Sequence, residues 1–332
     1  MTASALEVAR DRLGDLAVVD RPLGELTTYR VGGAAALFVE ARTRSDLEAV
    51  ADARRRSGLP VLVLGRGSNL LVADGGFAGI AVLLAGFDQI EVSEARTRLG
   101  ASGSATATHI VEAGAGVPLP VLARRTVALG LTGFEWAVGV PGSVGGAVRM
   151  NAGGHGADMA ASLVGVWIMD LESASVEWRD AGVLDLSFRS SGLSDAQIVL
   201  SASLGLNIGE RDRSEAVLGE VVRWRREHQP GGQNCGSVFV NPIPGLVPAA
   251  SLVEQVGLRG RRLGTAQVSD KHANFIQADE GGSATDVKML IQQVRAVVAR
   301  ETGFVLRSEV RLVGFDDGVD DTVDGVLGGG DR

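Results

Sequence analysis

The sequence predicts an α+β fold in two domains, divided near residue 205. Three observations point there. Residues 34–64 form one strand–helix–strand pattern. The stretch after it alternates short apolar runs with Ser/Thr/Ala-rich connections, as strands joined by loops do. A charged amphipathic segment, Arg213–Glu227, then stops at Pro230-Gly231-Gly232, and mixed helix and strand signals resume beyond it.

Residues 1–20 read as a charged leader with a short helix. Tyr29-Arg30-Val31-Gly32-Gly33 is a turn-rich approach to a strand at Ala34–Glu40. Ser45-Asp46-Leu47-Glu48 has the capping-box pattern, with Ser as N-cap and Glu three residues on. Leu47, Val50 and Ala51 follow at helical spacing, and Gly58 ends the helix. Val61–Leu64 is a continuous apolar run, the mark of a buried strand. Ile80–Leu84, Gln89–Val92 and His109–Ala113 read as further strands. Pro118–Ala128 reads as a helix, since Pro120 is tolerated in a first turn. Val164–Asp170 and Val176–Trp178 read as a hairpin across Ser173-Ala174-Ser175, and Ile198–Leu204 as one more strand. In the last third, Ala249–Val256 is a helix ended by Gly257. Phe275-Ile276-Gln277 and Val310–Val313 are strands. Between them lies the helix Thr285–Glu301, with Val287, Leu290, Ile291, Val294, Val297 and Val298 on one face. Residues 316–332 are acidic and Gly-rich with little apolar surface to bury, which predicts disorder. The expected divisions are a leader at 1–20, a first domain at 21–205, a second at 206–315 and the acidic tail at 316–332.

A chain of 332 residues has room for more than one core. Hydrophobic residues at 45% and charged residues at 22% are those of an ordinary globular protein. The net charge of −8 argues against nucleic acid or an anionic membrane as the main partner. The single Cys235 excludes an intrachain disulfide framework and fits a reducing cytoplasm. No second His or Cys clusters with it, so no metal site is expected. Residues 1–19 carry acidic groups and no long apolar core, so no secretory signal is expected. No uncharged apolar run is long enough to span a bilayer.

Glycine concentrates in two loops. Gly65-Arg66-Gly67-Ser68-Asn69 follows the strand Val61–Leu64, and small residues there let backbone N–H groups face a phosphate. No Lys-Ser/Thr follows, so it is not a Walker loop. The third glycine of a dinucleotide fingerprint would fall on Leu70. The second loop, Gly139 to Ala147, holds Pro141, Gly142, Ser143, Gly145 and Gly146 and leads to Asn151. Either loop alone reads as a turn. Together they suit an extended cofactor that needs close backbone approach along its length. A third stretch, Asn234 to Pro242, combines a turn at Asn234 and Gly236 with a short strand at Val238–Val240, stopped by Pro242. Ser237 stands where turn becomes strand. Its hydroxyl either bonds its own turn or faces a ligand.

On these residues the chain resembles the UDP-N-acetylenolpyruvoylglucosamine reductases, over roughly residues 21–315. The motifs that carry the resemblance are Thr28-Tyr29-Arg30-Val31-Gly32-Gly33, the two glycine loops, Met150-Asn151-Ala152-Gly153, Asn234 to Phe239, Lys271-His272-Ala273-Asn274-Phe275 and Ser308-Glu309-Val310-Arg311. The resemblance implies a two-subdomain FAD-binding domain of the vanillyl-alcohol-oxidase (PCMH) type, followed by a smaller α+β substrate-binding domain. It implies FAD held by Gly65, Arg66, Gly67, Ser68, Asn69, Pro141, Gly142, Ser143, Gly145, Gly146 and Asn151. The first loop has no His, so the flavin is expected to be noncovalent. NADPH is the implied reductant and the enolpyruvyl ether of a UDP-sugar the implied substrate. By the same resemblance Ser237 is the proton donor, Arg189 stabilises the developing enolate, and Glu309 completes the site.

Taken singly, Arg189 reads as a solvated hairpin charge and Glu309 as a partner of Arg307 or Arg311. Phe188 stands where the family often has Tyr, and His228 where Lys is frequent; a His there is only partly charged near neutrality. His272 reads as a structural hydrogen-bond donor, and Cys235 as a small buried apolar group. Two other readings fit part of the pattern. One is another FAD-dependent oxidoreductase of the same fold acting on a different substrate. The other is a nucleotide-sugar-binding regulator without turnover.

Overall fold

The computed structural model describes residues 3–93, 96–99 and 105–315. The segment 316–332, expected to be disordered, lies outside the described residues. The chain falls into two compact units. The first holds the residues up to Arg21, Ala35–Gly67 and Ala78–His228; the second holds Pro22–Ala34, Ser68–Phe77 and the residues from Gln229 on. Helices and strands are mixed in both, as the α+β expectation requires.

In the first unit a four-stranded sheet runs in the order Ala17–Pro22, Ala34–Glu40, Phe77–Leu83, Val61–Leu64. The last two strands are parallel, with Val61 opposite Ile80 and Leu64 opposite Leu83. The helix Arg44–Ser57 connects Ala34–Glu40 to Val61–Leu64 and buries Leu47, Val50, Ala51 and Ala53. Its N-cap lies two residues before the expected one. Thr43, not Ser45, is the cap: its Oγ1 accepts from Asp46 N at 3.3 Å, and the Asp46 carboxylate accepts from Thr43 N at 2.9 Å. Both Thr43-x-x-Asp46 and Ser45-x-x-Glu48 satisfy the capping pattern. The sheet decides between them, because its backbone pairing lasts only to Ala41. Gly58 closes the helix with φ +72°, as expected. The helix Ala3–Leu13 packs on Arg44–Ser57 and buries Ala9 and Leu13.

The other sheet of this unit is antiparallel. Gln197–Ile208 lies between Leu163–Asp170 and Ala105–Gly114; Val176–Asp180 and Ile90–Val92 lie outside them. The expected hairpin is present, with Val176 opposite Met169 and Ala174 at φ +57° in its connection. The expected helix at Pro118–Ala128 is Leu119–Ala128, capped by Pro118.

In the second unit a three-stranded antiparallel sheet, Arg262–Leu263, Ala266–Val268 and Ile276–Ala278, packs on the helix Ala284–Thr302. That helix buries Val287, Leu290, Ile291, Val294 and Val298 of the predicted face, while Val297 is only half-buried. Arg311–Val313 pairs in parallel with Leu70–Val72. The expected strand at Val238–Val240 is not regular. Only an isolated antiparallel bridge, Phe239 to Ser308, forms there. The Asn274 side chain takes both main-chain groups of Phe239: Oδ1 accepts from its N at 2.9 Å, and Nδ2 donates to its O at 2.8 Å. A backbone already paired to a side chain cannot extend a ladder on that side.

Asp74 caps Ala284–Thr302 from a distant part of the chain. Its carboxylate accepts from Ala284 N at 2.8 Å, Thr285 N at 3.0 Å, and the Ser283 and Thr285 hydroxyls, each at 2.7 Å. Burial acts to raise its pKa, but these hydrogen bonds outweigh it and hold the carboxyl below its ordinary value. Asp74→Ala should lower stability by about 1 kcal/mol in urea melts at neutral pH, the usual loss for a helix cap. Because the folded-state pKa is depressed, this contribution is present above the ordinary carboxylate value and fades as pH falls through the folded value. The gap between wild type and variant should therefore close only in acid. A gap independent of pH would show that the charge plays no part.

Candidate active site

The first unit brings Gly65, at the start of the first glycine loop, against the second loop. Gly65 leaves the strand Val61–Leu64, and a Cβ there would stand 2.3 Å from Ser143 Oγ. A side chain there would have to displace the Ser143 hydroxyl. Gly67 has φ +57°, and Arg66 is exposed. In the second loop a Cβ on Gly145 would meet the Ala115 Cβ at 2.8 Å. The loop is fixed by its main chain: Leu119 N donates to Gly142 O, Val144 N to Val117 O and Gly145 N to Ala115 O, at 2.9–3.0 Å. Arg225, on the helix Arg211–His228, donates to Gly139 O at the loop's start. Pro141 and Gly146 are exposed.

Ser143 is 2% exposed, and its Oγ has no hydrogen-bond partner. It precedes the helix Val144–Arg149 but does not cap it. A buried hydroxyl left unsatisfied costs about 1–3 kcal/mol, so it calls for a partner. It faces a glycine whose missing side chain leaves room. An orphaned hydroxyl between two glycine loops fits a cofactor with polar oxygens, approached closely by backbone. The residues present therefore suit FAD.

Asn151 is 3% exposed and has φ +38°. Its Nδ2 donates to Ser187 O at 2.9 Å and to Asp158 Oδ2 at 3.2 Å, and its Oδ1 accepts from Ala160 N at 3.0 Å. Arg189 is also in the first unit. It occupies the third position of a turn closed by reciprocal main-chain bonds between Ser187 and Ser190. Its φ is +57°, where such turns usually take glycine. Its Nη2 donates to Gly153 O at 2.9 Å, and the guanidinium lies 5.0 Å from the centre of the Phe188 ring. With Phe in place of the family's frequent Tyr, the neighbour of Arg189 offers a ring face and no hydroxyl.

The second unit holds Ser68, Asn69, Ser237 and Glu309. Asn234, not Ser237, ties the turn. Its Oδ1 accepts from Gly236 N at 3.0 Å, and its Nδ2 donates to Gly231 O and Gly232 O. Gly236 has φ +86°. Val238 N donates to Asn274 O, and Glu309 N donates to Val238 O, both at 2.8 Å. Glu309 is thus set beside the Ser237 stretch through the main chain. On its other side Asn69 Nδ2 donates to Glu309 O at 2.9 Å, and Arg311 N to Asn69 O at 3.0 Å. The unit therefore joins Asn69, Glu309 and the Ser237 turn in one backbone network.

Cys235 and Tyr29 are buried beneath that network. The Tyr29 hydroxyl has no regular hydrogen-bond partner, and the Cys235 thiol lies beside it. Burial first, and then the thiol, push the phenol well above its ordinary pKa. The thiol is itself pushed up to about 12, by burial first, with Glu309 adding and the Tyr29 hydroxyl opposing. Cys235 is inert, as a small buried group should be.

His272 is structural: its Nδ1 accepts a hydrogen bond from Asn274 N at 3.2 Å. His228 is exposed, stacks on Trp224 with ring centres 4.7 Å apart, and bonds Trp224 O through Nδ1 at 2.8 Å. Among the described residues no group of three His, Cys, Asp or Glu side chains is placed to hold a metal ion. No described helix is long and apolar enough to cross a membrane.

An FAD binding domain model matches residues 35–177, and the C-terminal domain model of UDP-N-acetylenolpyruvoylglucosamine reductase matches residues 228–313. The reductase of Synechococcus sp. (strain RCC307) is 42% identical over 299 residues, which are 89% of this chain and 93% of that one. Reductase 1 of Bacillus anthracis is 38% identical over 301 residues, 90% of this chain and 94% of its own. The crystal structure of the Thermus caldophilus reductase superposes with a TM-score of 0.73 at 31% identity, covering 90% of this chain and 99% of that one. With relatives this similar along nearly the whole length, the chain belongs to the UDP-N-acetylenolpyruvoylglucosamine reductase family.

Proposed function

We propose that the chain reduces UDP-N-acetylglucosamine enolpyruvate to UDP-N-acetylmuramate, a step of peptidoglycan precursor synthesis, using noncovalent FAD and NADPH in the cytoplasm. We assign flavin binding to residues 21–205 and sugar-nucleotide binding to residues 206–315. The family-model matches at 35–177 and 228–313 support that division. The observation that carries the chemistry is the Ser237 turn. Asn234 takes the turn's hydrogen bonds, which leaves the Ser237 hydroxyl to act on a ligand.

When bound, FAD would supply hydride-transfer chemistry between NADPH and the terminal carbon of the enolpyruvyl ether. The chain's own residues do the rest. Negative charge then builds on the adjacent carbon and spreads into the carboxylate. The Arg189 guanidinium offsets it, and its pinned geometry means little reorganisation is needed as the charge appears. The Ser237 hydroxyl protonates that carbon as general acid. Glu309, held through Asn69 and Val238, completes the proton-handling group. Ser143 Oγ and the Gly65 and Gly145 backbones would hold the cofactor. With no His in the first loop, the flavin has no covalent anchor there.

Acid precipitation should leave the flavin in the supernatant; a yellow pellet would contradict noncovalent binding. In stopped flow, Ser237→Ala enzyme should be bleached by NADPH at a near-normal rate. Its reoxidation by the enolpyruvyl substrate should slow by about 10²–10⁴-fold, the range for loss of a general acid. Reoxidation at the wild-type rate would remove Ser237 from proton transfer. Glu309→Gln should likewise spare reduction and slow reoxidation, whereas equal slowing of both steps would assign Glu309 to folding or flavin binding.

A further inference from the structure

We propose that Asn151 is a positioning residue for Arg189: it fastens the Ser187–Ser190 turn, and with it the guanidinium, to the segment that follows the second glycine loop. The proposal rests on the role given to Arg189 above and deepens it. It also departs from the expectation that Asn151 binds flavin.

The Asn151 amide is already spent. Both of its N–H groups are donated, to Ser187 O and Asp158, and its oxygen accepts from Ala160 N. Ser187 O belongs to the first residue of the Arg189 turn. Ser187 N and Ser190 N then donate across the turn at 3.0 and 3.2 Å. The guanidinium returns to the same segment, donating to Gly153 O two residues beyond Asn151. Turn and side chain are thus tied at both ends to residues 151–153. Arg149 adds a second strap: it donates to Leu193 O and Ser194 O, and its own carbonyl accepts from Ser191 Oγ at 2.7 Å.

The residue type fits this task. The site needs two donors and an acceptor on a short side chain, which only a primary amide supplies. The backbone is left-handed at φ +38°, which Asn tolerates better than most residues. Arg189 has a positive φ of its own, a strained state that persists only while its surroundings over-determine it. Releasing Ser187 O removes one of those constraints. The arginine then relaxes away from the point where charge develops, and small displacements of such groups cost rate steeply.

The test variant is Asn151→Gly, which accepts the left-handed backbone and removes the amide. Four measurements are made: flavin titration of the apoprotein, hydrogen exchange of the holoprotein, both half-reactions, and a double-mutant cycle with Arg189→Lys. Flavin affinity should stay within about threefold of wild type. Exchange should quicken across residues 186–192 and stay unchanged across 141–148. Reoxidation by substrate should slow by about tenfold or more, with reduction by NADPH spared. In the cycle, removing Asn151 should cost far less once Arg189 is Lys, because the two act as one unit. If Asn151→Gly does not fold, Asn151→Asp keeps the shape and the Ala160 bond while losing both donors, and is read the same way. Weakened flavin binding with reoxidation of the loaded enzyme unchanged would return Asn151 to the flavin site. Additive losses in the cycle would make it a general structural residue. Either result overturns the proposal. Arg189→Lys at the wild-type rate would instead remove the role of Arg189, and the exchange pattern would still decide whether Asn151 holds the turn.

Discussion

The second unit depends on one short piece of parallel pairing. Leu70, Leu71 and Val72 lie beside Arg311, Leu312 and Val313, and Asn69 extends the match by bonding Glu309 O across a separation of 240 residues. Parallel strands cannot be joined by a tight turn, so their pairing must be made between distant parts of the chain. That is why the stretch Ser68–Phe77 belongs with the C-terminal third and not with its sequence neighbours. It also explains the placement of Asp74, which reaches the helix Ala284–Thr302 from the same stretch. Leu71 and Val310 join one core, so the pairing also has apolar burial behind it.

The buried polar groups separate scaffold from site. Glu135 accepts from Thr132 Oγ1, Ser214 Oγ and Gly133 N, and its pKa falls despite burial. Asn151 is satisfied in the same way, and Asn274 pairs with both main-chain groups of Phe239. Such groups fix one arrangement of backbone and have little left to offer a ligand. Ser143 is the contrast. It is as buried as they are, has no partner, and stands against a glycine. Ser237 differs in being half-buried, and its turn is bonded by a neighbouring asparagine.

Periodicity and punctuation were legible wherever one local signal had no rival. Val61–Leu64, the face of Ala284–Thr302, and the stop at Gly58 fall where the residues place them. Legibility failed where two local patterns competed or where a distant side chain intervened. Thr43 and Ser45 both carry a capping pattern, and only the end of the sheet pairing chooses between them. Val238–Val240 has strand composition, but Asn274 occupies the main chain of Phe239. At the candidate site the motifs identified the family and its loops, and the structure supports Gly65 and Ser143 as parts of one cradle. What the motifs could not convey is the division of labour among asparagines. Asn69 and Asn151 read as loop ligands and Asn234 as a turn residue, and each side chain also bonds the main chain of a segment that carries Glu309, Arg189 or Ser237.

That shared pattern has an electrostatic counterpart at Cys235. The thiol is two residues from Ser237 in the chain, and a thiolate there would be a negative charge in a desolvated core. Burial prevents this. With its pKa pushed up to about 12, the thiol stays neutral at physiological pH, and the buried phenol of Tyr29 stays neutral with it. Neutral groups in a desolvated core add no long-range field, whereas an ion pair or thiolate in the same place would act strongly at low dielectric. The core beneath the Ser237 turn is therefore electrostatically quiet by construction. The two charged side chains proposed for the site are instead set by backbone hydrogen bonds of their own segments: Arg189 by those from Asn151 and to Gly153, and Glu309 by those with Asn69 and Val238.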